Sequence, residues 1–371
     1  MLPRVAVDAS NLVGGGGVQV ASALLTTADG LLTSGADGLP DWLPTATWLV
    51  SSQVAEALPP LTTIHPTVTA RRWRMNALGR PPYDAVATIF GPVYRLRRAS
   101  VEVMGYADVT SVYPPLAGIE RPTLRRRLRT WLSRTSVRDA DAVVVETAAL
   151  KERIVAFGVL ADRVSVVPNT VHPAMTSDPD PAQVAQFRAL RVPGATTFAY
   201  VTRLYPHKNL PFVAPVLAEL ARLGTEARCF VTLTDAEWAA LGQAGQSRLV
   251  NVGSLTPPQV RALLEASDAV LFPSLLEAFS ATPIEALQVE RPLFASDRDF
   301  VRTVVGDAAW YFDPTDVRAA AAAIQAGLAD TDALAARVAC GRALMRAWPD
   351  ATSRTRAFLA TIDGALTRRG A

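Results

Sequence analysis

The chain has 371 residues, half of them apolar, a mean hydropathy of +0.19 and a formal net charge of +3. That length exceeds a single core and points to two domains, and no apolar run approaches the roughly 18 residues of a membrane span. Two cysteines (Cys229, Cys340) and three histidines (His65, His172, His207) form neither a disulfide framework nor a metal-ligand spacing, so the chain reads as a metal-poor, cytoplasmic protein.

The net charge hides an asymmetry. Residues 1–138 hold 15 arginines, no lysine and 9 acids, a balance of +6, while the remainder hold 22 basic and 25 acidic side chains, a balance of −3. The first half is therefore expected to meet something anionic.

In chain order, Val5–Ala9 is a buried-strand pattern rather than a signal peptide, since Asp8 and Asn11 interrupt the apolar region. It leads into Asn11–Gly17 (NLVGGGG) and a helical stretch over Val18–Thr27. Strand, glycine-rich turn, helix is the opening of a Rossmann-like unit, although Val20 stands where a dinucleotide fingerprint needs its third glycine and no Lys-Ser/Thr makes a P-loop. The glycines allow close backbone approach of a ligand. Apolar runs follow at Ala46–Val50, Thr62–Ile64, Ala85–Ile89 and Ser100–Met104. Ala142–Val145 and Arg163–Val167 read as strands around a helix over Ala148–Phe157, which makes repeated β/α units on a mostly parallel sheet.

Pro122–Arg138 (PTLRRRLRTWLSRTSVR) is a basic helix with Leu124, Leu128, Trp131 and Leu132 on one stripe. Such a helix ordinarily docks its stripe on the domain and solvates its arginines. The other reading is an anionic membrane surface, or an anionic lipid-linked substrate, meeting Arg121–Arg138 with help from the Arg71–Arg74 and Arg95–Arg98 clusters. No nucleic-acid-binding motif accompanies the charge, so nucleic acid is not an expected partner.

A polar, proline-containing stretch around Val171–Gln183 reads as the linker, with domains at 1–172 and 173–350. The alternation then restarts with strands at Phe198–Thr202, Arg228–Thr232, Leu249–Val252, Ala269–Phe272 and Leu293–Ala295. Helices are expected over Leu210–Leu223, Pro257–Ala266 and Pro283–Leu287. Alanine-rich helices at Val317–Leu328 and Ala333–Arg346 precede a break at Pro349, and a last helix over 351–371 can return to the first domain.

Two features carry chemistry. Glu277 and Glu285, spaced E-x7-E across a strand-to-helix turn, suit a polyhydroxylated phosphate-bearing ligand: its hydroxyls donate to the carboxylates and its phosphates accept from free helix amides. With helix throughout, the acids would sit about 12 Å apart and touch opposite ends of one ligand. Arg203 and Lys208, at the two ends of a loop, can together neutralise a pyrophosphate without a metal. Three Asp-x-Asp triples (Asp139/Asp141, Asp178/Asp180, Asp297/Asp299) are cheap in a chain with 34 acids and are not taken as a metal site.

Tyr200–Leu210 (YVTRLYPHKNL), the later FPSLLEAFSATPIEAL and Phe294–Asp297 (FASD), with SVVPNTVHP and GDAAWYFDP at the matching order, resemble the retaining GT-B glycosyltransferases of family 4. The resemblance covers about residues 165–315 and implies an α/β fold of two Rossmann-like domains facing an interdomain cleft. It implies transfer of a hexose-type sugar from a nucleoside-diphosphate sugar to a hydroxyl of a glycan or lipid-linked acceptor in cell-surface polysaccharide synthesis, with retention and no metal cofactor. By it, Arg203 and Lys208 would bind the donor diphosphate, Glu277 would sit by the transferred sugar, the amides of Phe279, Ser280, Ala281 and Thr282 would touch sugar and phosphate, and Glu285 would hold the ribose. Gly16 and Gly17 would line the acceptor side. The chain departs from the family at Ala278 and Ser280, often glycine, at Thr170 and His172, and at Met104-Gly105-Tyr106, where many members carry a histidine. A nucleotide-sugar epimerase or hydrolase, or a non-catalytic sugar-nucleotide-binding subunit, are the alternatives on the same architecture.

Overall fold

In the computed structural model, which describes residues 1–69, 83–91, 99–114 and 123–370, the apolar runs build two all-parallel sheets of seven and six strands. Parallel strands are covered on both faces, which is why the runs are continuously apolar rather than alternating. One compact unit holds the described residues up to Thr170 together with those from Pro349 onward, and the other holds Val171–Trp348. The arginine clusters at 71–74 and 95–98, and Arg121, lie outside the described residues.

The first unit runs β1 (Val5–Ala9), α1 (Gly15–Thr33), β2 (Thr47–Val50), α2 (Ser52–Glu56), β3 (Thr67–Val68), β4 (Tyr83–Gly91) and β5 (Ala99–Tyr106). It continues with α3 (Val109–Val112), α4 (Leu124–Arg138), β6 (Ala142–Val145), α5 (Ala148–Ala156) and β7 (Val164–Val166). The strand order is β3-β2-β1-β4-β5-β6-β7, with Asp8 opposite Thr88 across the central pair. Gly105 is fixed by packing, because a Cβ there would meet the Ile89 carbonyl oxygen at 1.7 Å. Thr62–Ile64 is not a strand. Its three backbone N–H groups donate to the Asp29 carboxylate at 2.6–2.8 Å, which gathers the segment into a turn ahead of β3.

The basic helix α4 is mounted the other way round from the ordinary expectation. Its buried residues are Ser133 and Val137, whereas Leu124, Leu128 and Trp131 are 82%, 56% and 61% exposed. Polar anchors explain the choice: the Ser133 hydroxyl bonds the buried Tyr106 hydroxyl at 2.8 Å and donates to Asp108 at 2.9 Å, and Arg134 Nε donates to the Ser111 carbonyl at 2.8 Å.

The second unit runs α6 (Pro181–Ala189), β8 (Thr196–Tyr200), α7 (Val213–Arg222), β9 (Ala227–Val231), α8 (Asp235–Gln246), β10 (Leu249–Asn251) and α9 (Pro257–Ala266). Then come β11 (Ala269–Phe272), α10 (Ala281–Gln288), β12 (Leu293–Ser296), α11 (Asp299–Val305), β13 (Ala309–Phe312), α12 (Val317–Ala329) and α13 (Thr331–Ala347). Its order is β10-β9-β8-β11-β12-β13. Phe198, Phe230, Phe272 and Phe294 are fully buried, each contributing about 1.5–3 kcal/mol of burial, and the Phe198 and Phe294 rings meet edge-on at 5.8 Å.

The stretch around Val171–Gln183 is folded rather than a free linker. Met175 is buried in the second core, and Asp180 caps α6 by accepting from the Ala182 N–H at 2.9 Å, with Pro181 in the first turn. After Pro349, α14 (Ala351–Gly370) places Phe358, Leu359 and Ile362 in the first core. Trp42 Nε1 donates to Asp363 at 3.1 Å, and Arg356 to the Asp37 carbonyl at 2.8 Å.

Candidate functional site

In an open parallel α/β sheet, ligands bind beyond the carboxyl ends of the strands, where the strand order reverses. In the second unit that point lies between β8 and β11, because the chain moves outward to β9 and β10 and then crosses back to β11. The loop after β8 carries Arg203 and Lys208. The loop after β11 carries Glu277 and leads into α10. Topology alone thus brings together the two features singled out from the sequence.

Hydrogen bonds then fix their geometry. The Tyr200 hydroxyl donates to the Lys208 carbonyl at 2.6 Å and lies 3.3 Å from the Ser274 hydroxyl. Leu275 N–H donates to the His207 carbonyl at 2.8 Å. Asn209, in the left-handed region at φ +57°, donates through its amide to the carbonyls of Pro273 at 3.3 Å and Pro314 at 2.8 Å. The two loops are one braced structure.

Within it Lys208 Nζ pairs with Glu277 Oε1 at 2.6 Å, the side chains being only 17% and 9% exposed. An ammonium has three donors, so Lys208 can hold this carboxylate and still donate to a phosphate. Arg203 is braced differently. Its Nε lies 3.1 Å from Glu237 Oε1 and its Nη1 donates to the Ser254 hydroxyl at 3.3 Å. Burial alone would raise the Glu237 carboxyl, but N–H donors from Thr234 and Leu204, with Arg203, hold it down at about 2. Arg203 and Lys208 line one cavity of about 250 Å³ with Val201, Thr202, Thr232, Ser254, Leu255 and Val260.

The E-x7-E segment differs in one respect from the continuous helix used to space its acids. Helix α10 begins only at Ala281, so Glu277 to Ser280 form a non-helical turn. Ser280 is the N-cap at φ −134° and makes no side-chain capping bond. Neither Ala278 nor Ser280 has positive φ, so these departures from glycine cost no backbone strain. Phe279, Ser280 and Ala281 are partly exposed, whereas Thr282 is buried and its hydroxyl donates to the Val201 carbonyl at 3.3 Å. Glu285 is half-buried, and burial pushes its carboxyl up to about 7.

The first sheet reverses between β1 and β4, and Gly14–Gly17 follow β1 there. Helix α1 already starts at Gly15, so Gly16 and Gly17 form its first turn rather than a loop. Gly14 caps it without a side chain, and Asn11 ties the turn to β4 by donating to the Phe90 carbonyl at 2.7 Å. A Cβ on Gly16 would meet nothing within 4 Å, while one on Gly17 would touch Leu12 at 3.3 Å. Tyr106, in the segment where the resembled family often has histidine, is turned inward onto Ser133. Among the described residues, no three His, Cys, Asp or Glu side chains come together as a metal site, and no helix is long and apolar enough to cross a membrane.

Glu237, Ser254 and Tyr200 were not anticipated. The Thr234-x-x-Glu237 capping box was a visible signal for Glu237, but its contact with Arg203 is tertiary.

Residues 184–343 match the family model described as glycosyl transferases group 1. A curated relative, 2-deoxystreptamine glucosyltransferase of Streptomyces kanamyceticus, is 28% identical over 220 residues, and the match spans 56% of each chain. Among solved structures, HepE of Anabaena in complex with UDP-glucose aligns at a TM-score of 0.67 with 15% identity, over 97% of this chain and 99% of that one. Sucrose-phosphate synthase of Thermosynechococcus elongatus aligns at 0.67 with 16% identity, over 99% and 98%. These likenesses, with two parallel Rossmann-like sheets, establish that the chain has the GT-B fold and that its second unit carries the group 1 glycosyl transferase match.

Proposed function

We propose that the chain is a retaining glycosyltransferase that moves a hexose-type sugar from a nucleoside-diphosphate sugar to a hydroxyl of a glycan or lipid-linked acceptor. The observation that carries this reading is the Lys208–Glu277 pair, set beside Arg203 at the switch point of the second sheet. Two cations at a cavity mouth meet the charge that builds on a departing diphosphate, and a metal is not required for that task. Glu277, held in place by Lys208, accepts from the sugar's hydroxyls. Glu285 accepts from the ribose, and the amides of Phe279–Thr282 donate to sugar and phosphate. The acceptor oxygen forms the new bond to the anomeric carbon as the carbon–oxygen bond to the diphosphate breaks, and the departing phosphate takes the acceptor's proton. Gly16 and Gly17 supply bare backbone on the acceptor side. The glucosyltransferase of Streptomyces kanamyceticus and the UDP-glucose bound by HepE make UDP-glucose the first donor to test.

The experiment is a thermal-shift panel of nucleoside diphosphates and their sugars, followed by donor consumption with and without hydroxylated acceptors. Stabilisation by a nucleoside diphosphate and acceptor-dependent consumption are expected. Arg203→Ala should weaken diphosphate binding about tenfold to a hundredfold, the worth of one charge-assisted contact. Rapid donor consumption without acceptor would replace transfer by hydrolysis or epimerisation, and stabilisation by no nucleoside diphosphate would remove the reading altogether.

A further inference from the structure

Helix α4 presents an unusual surface. Six of its fifteen residues are arginine and none is acidic. At 3.6 residues per turn, Leu124, Leu128, Trp131 and Leu132 lie on one face, opposite the buried Ser133 and Val137. Arg125 and Arg129 flank that stripe on one side, and Arg127, Arg134 and Arg138 on the other. Among the described residues the stripe has no covering element, and its leucines and tryptophan stay exposed. A helix that anchors itself by a serine and leaves its tryptophan outside does not owe that stripe to its own core. Beside the stripe, Thr110, Tyr113, Arg126, Arg127, Trp131 and Arg134 line a cavity of about 640 Å³. Arg126 and Arg134 are braced there by the carbonyls of Thr110 and Ser111 at 3.3 and 2.8 Å, so the cavity wall is cationic and fixed in place.

We propose that α4 docks this chain on an anionic lipid bilayer. The helix lies in the interfacial plane. Leu124, Leu128 and Trp131 enter the acyl boundary, the flanking arginines meet lipid phosphates, and the cavity under Trp131 receives a headgroup. A partner surface for this face must be apolar along its middle and anionic along both edges, which a bilayer rich in acidic phospholipid supplies along the whole helix. The proposal is independent of the glycosyl-transfer reading, because none of these residues belongs to the Arg203–Glu277 site.

The test is co-sedimentation of the full chain with vesicles of phosphatidylcholine alone and of phosphatidylcholine mixed with phosphatidylglycerol. Binding to the mixed vesicles only is expected, and added salt should weaken it. Arg125→Gln with Arg127→Gln should reduce partitioning about thirtyfold, from two interfacial cations. Leu128→Ser with Trp131→Ser should reduce it at least as much. All four side chains are exposed, so unchanged melting temperatures are expected and separate lost docking from lost fold. Equal partitioning onto both vesicle types, or undiminished binding by the two double variants, would overturn the proposal. So would a dimer in light scattering that Trp131→Ser dissociates, with no vesicle binding, since that would give the face to a second copy of the chain.

Discussion

The two sheets reverse in the same way, yet their reversal points are furnished in opposite styles. Between β8 and β11 stand Arg203, Lys208 and Glu277, each held by a tertiary partner and cross-braced through Tyr200, Asn209 and Leu275. Between β1 and β4 stand glycines, with Asn11 reaching across to the neighbouring strand. A charged grip on a constant chemical group, such as a diphosphate, needs fixed side chains in a set order. A surface for a variable group needs clearance. The family model matches the second unit's residues 184–343, which fits this division.

The comparison is broken most severely at the buried pair. Lys208→Ala is expected to lower transfer by about a thousandfold or more, and also to lower the melting temperature by several degrees. The fold does not escape the substitution, as a solvated loop cation would allow, because Glu277 is left as an unpaired carboxylate in a nearly closed place. Lys208→Met combined with Glu277→Leu should recover the melting temperature without recovering transfer. Near-normal turnover in Lys208→Ala would end the assignment.

Glu285 sharpens the contrast through pH. Burial raises its carboxyl from the ordinary 4.5 to about 7. Between those values the folded chain keeps a proton that the unfolded chain has lost, so stability falls as pH rises through that window. Glu285→Gln should flatten this dependence and melt above the parent at about pH 8. Donor affinity runs the other way: it should rise in the parent as pH passes through about 7, when the carboxylate can accept from two ribose hydroxyls, and be several-fold weaker in Glu285→Gln. Isothermal titration at two pH values reads both arms.

The smallest effect is expected at the bare turn. Gly16→Ala has open space for its methyl and joins a helical first turn, so melting should rise slightly or stay level, within about 0.5 kcal/mol. The acceptor KM should rise severalfold while UDP affinity stays unchanged. A shift in UDP affinity instead would move this turn to the donor side.

What the sequence disclosed follows the same division. The turn positions of Arg203, Lys208 and Glu277 were legible because β/α alternation and loop length place residues at strand ends without any knowledge of packing. Glu237 and Ser254 were not, since only the folding of neighbouring strands brings them to Arg203. The stripe of α4 was legible as a stripe, but not its direction: periodicity reports that leucines share a face, while the Ser133–Tyr106–Asp108 bonds decide which face turns inward. Residues 171–183 were legible as a polar, proline-containing stretch beside the division of the two units, but not as a helix start. Asp180-Pro181 has the composition of a loop and acts as a helix start.

One consequence concerns synthesis. Phe358, Leu359 and Ile362 of α14 fill the first core, yet they are made after the entire second unit. A ribosome that has emerged to Pro349 therefore presents a second unit with all its residues and a first unit whose apolar floor under α1 is still open. Domains usually mature in the order of translation. Here the first to leave the tunnel is the last to close, and its unpaired surface is the part of the nascent chain most in need of a chaperone.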